Sequence, residues 1–161
     1  MKPIISIIMP VYNAQNYLIE AIESVLGQTF KSFELIIVND GSIDTSEAII
    51  NSFKDPRIVS IKQENQGQAS ACNKGVKAAS GRYIKFFDAD DVLNPLHLEK
   101  QYQALNGHDC YLASCQWAYF YDKINKVNFQ KEYTYKDYNN PINWFYDTHV
   151  YDKGMIGVPL W

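Results

Sequence analysis

The chain has 161 residues, 47% of them hydrophobic and 14% aromatic, with a formal net charge of −3. That apolar content suits one globular core and excludes a disordered chain, and the scattered Lys and Arg residues form no run, which excludes a nucleic-acid-binding face. Three cysteines, Cys72, Cys110 and Cys115, without a C-x-x-C pair exclude a disulfide framework or a zinc site.

The first apolar run, Ile4 to Met9 (IISIIM), is bounded by Pro3 and Pro10. It is too short to span a bilayer and carries no small-residue cleavage site. The expectation is a cytoplasmic chain without a membrane segment of its own. A continuous β-branched run instead predicts a strand buried on both faces. Tyr12 and Asn13 then turn the chain. Leu18, Ala21, Ile22, Val25 and Leu26 recur at helical spacing, with Gly27 placed to cap the end. Phe33 to Val38 (FELIIV) predicts a second buried strand, and Asn39 to Ser42 a turn. Asp44 or Thr45 caps a helix through Phe53, with Glu47 in its first turn. Arg57 to Lys62 predicts a third strand, and Asn65 to Gly67 a turn. A small-residue helix over Ser70–Ala79 follows, ended by Gly81. Tyr83 to Phe87 predicts a fourth strand, and Asn94-Pro95 opens a helix that runs to Leu105 and stops before Gly107.

After Asp109 the pattern changes. Tyr111 to Tyr121 predicts a strand, Asp122 to Asn125 a hairpin turn, and Val127 to Tyr133 its partner; the region beyond Tyr135 reads as irregular. The expected division is 1–108 as one βαβ portion and 109–161 as the start of another. The apolar end, VPLW, predicts a piece of a longer protein.

Alternating strands and helices imply an α/β fold, a mostly parallel sheet with helices on both faces. In such sheets ligands sit beyond the carboxyl ends of the strands. The clusters Tyr12-Asn13, Asp40-Gly41-Ser42, Glu64-Asn65 and Asp88-Ala89-Asp90-Asp91 each follow such an end. The last pushes three carboxylates against an apolar run. Two carboxylates about 4 Å apart repel by roughly 4 kcal/mol at an effective dielectric near 20. A divalent cation is the first candidate to offset that.

Four blocks in this order, SIIMPVYNAQNYLIEAIESVLGQTF, FELIIVNDGSIDTS, ENQGQASACNKG and GRYIKFFDADDVLNP, resemble the family 2 glycosyltransferases, which have the Rossmann-like GT-A fold. The resemblance covers Ile4 to Leu98 and implies the following roles. Pro10, Val11, Tyr12 and Asn13 line a nucleotide pocket, where a tyrosine lying on a base contributes about 1–3 kcal/mol. Asp40 accepts the uracil imide N–H. Asn73, in the third block, also belongs to the nucleotide site. Asp88, Ala89 and Asp90 form a D-x-D motif with Asp91 directly after. Asp88 and Ala89 meet the nucleotide, and Asp90, Asp88 and Asp91 hold Mn²⁺ or Mg²⁺ on the diphosphate. The implied reaction is inverting transfer from a UDP-sugar to the hydroxyl of a glycan or glycolipid acceptor, in polysaccharide or glycoconjugate synthesis. The implied place is the cytoplasm, with peripheral association at the inner face of the membrane.

Plainer readings stand beside these. Asp40 before Gly41 also suits an ordinary turn, Tyr12 simple packing, and Asp91 a loop cap. Asn65, Gly67 and Gly75 read as turn and helix-packing residues, and Trp117 and Trp144 as core or interface. His97, His108 and His149 show no metal-ligand spacing and receive no role. There are two departures from the family pattern. The family's Ala-Arg-Asn is Ala71-Cys72-Asn73 here, so its basic residue is missing, and Lys74 faces elsewhere on the helix. No residue from Asp109 to Trp161 matches the family's general base, Asp147 and Asp152 included, so the base is expected beyond Trp161. Two rivals remain open. Asp88-Ala-Asp90-Asp91-Val92 formally fits the nucleophile motif of haloacid dehalogenase-type phosphatases, and a non-catalytic nucleotide-sugar-binding module would need no base.

Overall fold

The computed structural model describes residues 2–109 and, beyond them, 112, 113, 115, 118, 139 and 143. Apart from those six positions, the elements expected after Asp109 lie outside the described residues, as do Trp117, Trp144, Asp147, His149 and Asp152. Residues 2–109 and 112 belong to one compact unit.

Strands and helices alternate as expected: β1 (Ile5–Val11), α1 (Leu18–Leu26), β2 (Phe33–Asp40), α2 (Ser46–Ser52), β3 (Ile58–Gln63), α3 (Gln68–Ala78), β4 (Tyr83–Phe86) and α4 (His97–Leu105). The sheet order is β3-β2-β1-β4, and every pairing is parallel. The chain therefore steps outward from β1 to β3. α3 then carries it back over β2 and β1, and it lands on the far side of β1 as β4. The strand order reverses between β1 and β4, the place where open α/β sheets leave a crevice at their carboxyl edge.

Burial on both faces explains the unbroken apolar strands. Ile5, Ile7, Met9, Val11, Leu35 and Ile37 share one core with Leu18, Ala21, Ile22 and Val25 of α1, Ile50 of α2 and Leu98 of α4. Ile36 and Val38 form the opposite core with Ala71 of α3. Each buried Leu, Ile or Val contributes about 1.5–3 kcal/mol. Gly75 lets α3 lie close on β1, because a Cβ there would fall 2.4 Å from Ile8 Cγ2. Its expected packing role follows from that approach.

Two helix starts differ from expectation. α3 begins at Gln68, two residues early, because Gly67 makes the entry turn at φ +86°. α4 begins at His97, three residues after Asn94. Asn94 and Pro95 form a turn instead, in which Asn94 Oδ1 accepts from Leu96 N–H and Asn94 O from His97 N–H. The next α4 donor, Leu98 N–H, is met by a residue far away in sequence. Gln28 is fully buried, its Oε1 accepts from Leu98 N–H at 3.0 Å, and its Nε2 donates to Asn94 O at 2.9 Å and Ser24 O at 3.0 Å. α2 shows a related case: Thr45 stands at the cap position, but Asp44 Oδ1 accepts from Ser46 N–H at 2.9 Å.

Candidate functional site

Parallel register brings the ends of β1, β2, β3 and β4 to one edge. Val11 pairs with Asn39, Asp40 with Gln63, and Ile8 with Phe86. Val11 is a core side chain, so only its main chain reaches that rim. Tyr12 is half-exposed at 51%, and Asn13 adopts a left-handed φ of 52°.

The loops after β1 and β2 are hydrogen-bonded into a latch. Asn13 N–H donates to Ser42 Oγ (3.1 Å), Ala14 N–H to Ser46 Oγ (3.0 Å) and Gln15 N–H to Asp44 Oδ2 (3.1 Å). In return, Ile43 N–H donates to Asn13 Oδ1 (2.9 Å), and Thr45 N–H and Oγ1 donate to Gln15 Oε1 (3.1 and 2.8 Å). Partial burial pushes the Asp44 carboxyl up, but bonds from Ser46 and Gln15 outweigh it and hold the group below its ordinary value. The latch fixes the backbone on either side of Tyr12. Asn39 lies nearby, buried; its Oδ1 accepts from Ser42 N–H, while its Nδ2 has no hydrogen-bond partner among the described residues.

Asp40 is 2% exposed. Its Oδ1 accepts from Gln63 Nε2 (2.6 Å) and Gln66 N–H (2.9 Å), and its Oδ2 from Gly67 N–H (2.8 Å). Burial raises its pKa, and these three donors together bring it below the ordinary value. A carboxylate offers about four lone-pair sites, so one remains, on Oδ2. Asp40 is the last residue of β2 rather than part of a turn, and its carboxylate is mostly committed to the 63–67 segment. Gly41 stands beside it at φ +74°, its Cα facing Asn65 so closely that a Cβ would lie 2.7 Å from Asn65 N.

The same segment reaches the aspartate cluster one residue later. Gln68 Nε2 donates to Asp88 Oδ1 at 2.9 Å. Asp40 and Asp88, from strands on opposite sides of β1, are therefore tied to one stretch of chain. The aspartate loop is also held at its far end, where Leu93 N–H donates to Ser24 Oγ and Thr29 N–H to Pro95 O. Asp88 is half-buried, Ala89 buried, and Asp90 and Asp91 exposed. Burial and then Asp90 push the Asp88 carboxyl up, against the Gln68 bond. Asp91 is pushed up to about 6 by its packing, then by Asp88 and Asp90, against Lys85. Asn73 is exposed, roughly 7.5 Å further along α3 than Gln68 at 1.5 Å per residue.

Among the described residues, no three or more His, Cys, Asp or Glu side chains gather closely enough to hold a metal ion by themselves. The expected trio Asp88, Asp90 and Asp91 is thus not assembled as a three-ligand cage; Asp90 raises the pKa of Asp88, and Asp88 and Asp90 raise that of Asp91, instead. The donor set is nonetheless hard oxygen, and Asp88 Oδ2 accepts no hydrogen bond from the described residues. Such a set fits Mn²⁺ or Mg²⁺ completed by diphosphate oxygens and water, since Mg²⁺ is usually held by one or two carboxylates plus phosphates.

Sequence reasoning missed several residues here. Lys85 is 6% exposed within an apparently apolar strand, and its charge favours ionised Asp91. His97, left without a role, has its pKa lowered to about 3 by burial and then by Lys85, against a bond with Gln101. Its folded pKa is depressed below 6.5, so its contribution to stability is complete above pH 6.5 and is lost as pH falls from there. Acidification from pH 7 to 5 is expected to cost up to about 1.4 kcal/mol per pH unit through this group. Asp91 acts in the opposite sense, so the measurement is the change in urea-unfolding free energy between pH 7 and pH 5, compared between wild type and His97→Gln. A variant whose stability falls as much as wild type over that range would assign the pH dependence to other groups.

A cleft of about 410 Å³ at the opposite, amino edge is lined by Lys31, Phe33, Glu34 and Arg57. Its cations are engaged: Arg57 pairs with Asp55 at 2.7 Å, and Lys31 Nζ donates to Gln28 O. It lies far from the aspartates and is not the candidate site.

Residues 6–158 match the family model described as Glycosyl transferase family 2. A Rickettsia prowazekii protein named as an uncharacterized glycosyltransferase is 47% identical over 108 residues, covering 67% of this chain and 34% of its own length. A Methanocaldococcus jannaschii protein named likewise is 37% identical over 157 residues, 92% of this chain and 53% of its own. The chain thus spans about a third to a half of these relatives. Among solved structures, S. aureus TarS 1-349 in complex with UDP-GlcNAc superposes with a TM-score of 0.62 at 28% identity, covering 67% of this chain and 32% of that one. The expected GT-A arrangement is the fold they share.

Proposed function

The chain belongs to glycosyltransferase family 2, and from that premise we propose that it binds a UDP-sugar at the carboxyl rim as the donor side of an inverting, divalent-cation-dependent transfer. One observation carries the reading: the segment Gln63–Gln68 is bonded to both Asp40 and Asp88, so the base-side and diphosphate-side aspartates share one rim. The likeness to a protein solved with UDP-GlcNAc supports a UDP-sugar.

In this reading the half-exposed Tyr12 ring lies against the base, flanked by the backbone of Pro10, Val11 and Asn13. The remaining lone pair of Asp40 Oδ2 accepts the imide N–H. Asp88 and Ala89 meet the ribose side, and Asn73 lies at the outer limit of the pocket. Asp88 and Asp90, with Asp91 beside them, would hold Mn²⁺ or Mg²⁺, which supplies positive charge for the departing diphosphate. An acceptor hydroxyl on a glycan or glycolipid attacks the anomeric carbon, its proton passes to a carboxylate base, and the bond to UDP breaks with the electron pair leaving on the diphosphate. The oxocarbenium character of such a transition state matches glycoside chemistry. The product class is a polysaccharide or glycoconjugate, made at the inner face of the membrane. Among the described residues no helix is long and apolar enough to cross a membrane.

Calorimetry with UDP, with and without Mn²⁺, tests the reading. Binding that Mn²⁺ tightens at least tenfold is expected. No binding at millimolar UDP, or Mg²⁺-dependent hydrolysis of a generic phosphomonoester, would sink it.

A further inference from the structure

The aspartate loop depends on a side chain that the assigned roles leave unused. Asp88 is a half-buried carboxylate in the loop after β4, two residues before Asp90. Among the described residues its one side-chain hydrogen bond comes from a neutral group, the Gln68 amide, at 2.9 Å. Gln68 is the first residue of α3. The residue before it, Gly67, is fixed by its N–H to Asp40 Oδ2 at 2.8 Å and turns at φ +86°. The amide is therefore delivered to Asp88 by a backbone that Asp40 anchors. Cys72 lies one helical turn on, on the same side of α3. Asp88 is close enough to push its thiol pKa further up, after burial. The side of α3 next to the aspartate loop thus offers Asp88 one donor, and that donor is Gln68.

The bond occupies Oδ1, and Oδ2 accepts nothing from the described residues. A carboxylate on a short side chain can otherwise rotate and present either oxygen. Holding one oxygen removes that freedom before a ligand arrives, so the ordering cost is met by the fold. A neutral donor has a further consequence. Lys or Arg at the same place would cancel the Asp88 charge and compete with a cation, whereas a glutamine orients the carboxylate and leaves its charge intact.

We infer that Gln68 is a positioning residue of the donor site, which holds Asp88 Oδ1 so that Oδ2 is presented to the diphosphate-bound cation. This rests on the donor reading above. It acts through Asp88 and is not itself placed against substrate.

The test is calorimetry of UDP and of MnCl₂ plus UDP on the purified chain, for wild type, Gln68→Ala, Gln68→Glu and the surface control Lys77→Ala at the far end of α3. Thermal melting without ligand is recorded in parallel. Gln68 is exposed, so Gln68→Ala should melt with wild type. It should lose about fivefold to tenfold in UDP affinity with Mn²⁺ and little without it, a loss in the range of one hydrogen bond to a charged group. Gln68→Glu, which sets a carboxylate against Asp88, should lose more, and Lys77→Ala nothing. Gln68→Ala binding UDP with Mn²⁺ as tightly as wild type would overturn the inference alone. Equal losses with and without Mn²⁺ would also overturn it, because the effect would then be general to the helix. Wild type that binds no UDP would overturn the donor reading, and this inference with it.

Discussion

Asp90→Ala is expected to erase the dependence of UDP binding on Mn²⁺, a loss of about 100-fold in affinity in the presence of the ion, or roughly 2.7 kcal/mol. Asp90 is exposed, and in the proposed reading it is one of the carboxylates that would hold the cation. Its loss would leave Asp88, already bonded at one oxygen by Gln68, with Asp91 beside it. Structure should survive, because nothing in the core depends on the side chain. The metal-free variant should melt no lower than wild type at neutral pH, since Asp90 raises the pKa of both Asp88 and Asp91. Relief of that repulsion is favourable. A variant that lost affinity equally without Mn²⁺ would assign Asp90 to the nucleotide instead, and one that kept its Mn²⁺ response would remove it from the site.

Asp40→Ala should do the opposite and damage the fold first. Three donors, Gln63 Nε2, Gln66 N–H and Gly67 N–H, lose their acceptor. An unmet buried donor costs about 1–3 kcal/mol, and water can reach part of this exposed segment, so a loss of about 3 kcal/mol is expected. The 63–68 segment would also release Gln68, so UDP binding should fall in the protein that remains folded. Asp40→Asn keeps the shape but turns an amide N–H₂ toward a donor, and should cost about half as much. The wild-type carboxyl is held below its ordinary pKa. Its contribution is therefore present above the unfolded carboxylate pKa of about 3.9 and is lost as pH falls below it. Urea unfolding at pH 7 measures the difference. A change below 1 kcal/mol for Asp40→Ala would mean that the segment holds itself.

These two aspartates also show where the sequence was legible. β1 and β2 could be read because strands covered on both faces need unbroken apolar runs, and the alternation of Ile7 and Met9 with Ile8 serves the two cores. The rim could be read because parallel strands put all following turns on one edge. Contacts between distant residues could not be read. Gln28 closes the start of α4 from about 70 residues away, and local signals at Asn94-Pro95 placed that helix two residues early. The Asn13–Gln15 latch onto Ser42–Ser46 spans about 30 residues, and neither half predicts its partner. Lys85 was hidden by its apolar neighbours. Local composition around Asp40 suggests a turn, whereas the residue ends β2 and three of its acceptor sites serve a segment more than 20 residues away.

In the proposed reading a cation and a nucleotide meet at the carboxyl rim between β1 and β4. Amide NMR with limiting Mn²⁺ and excess UDP tests it most directly, because paramagnetic broadening falls steeply with distance. The sheet offers a usable range, since the seven residues of β1 separate its two ends by roughly 20 Å. The account predicts that Asn13, Ser42, Gly67 and Asp91 broaden first, and Ile5 and Phe33 last. Broadening that begins at Ile5 and Phe33, or that is the same with and without UDP, would contradict it.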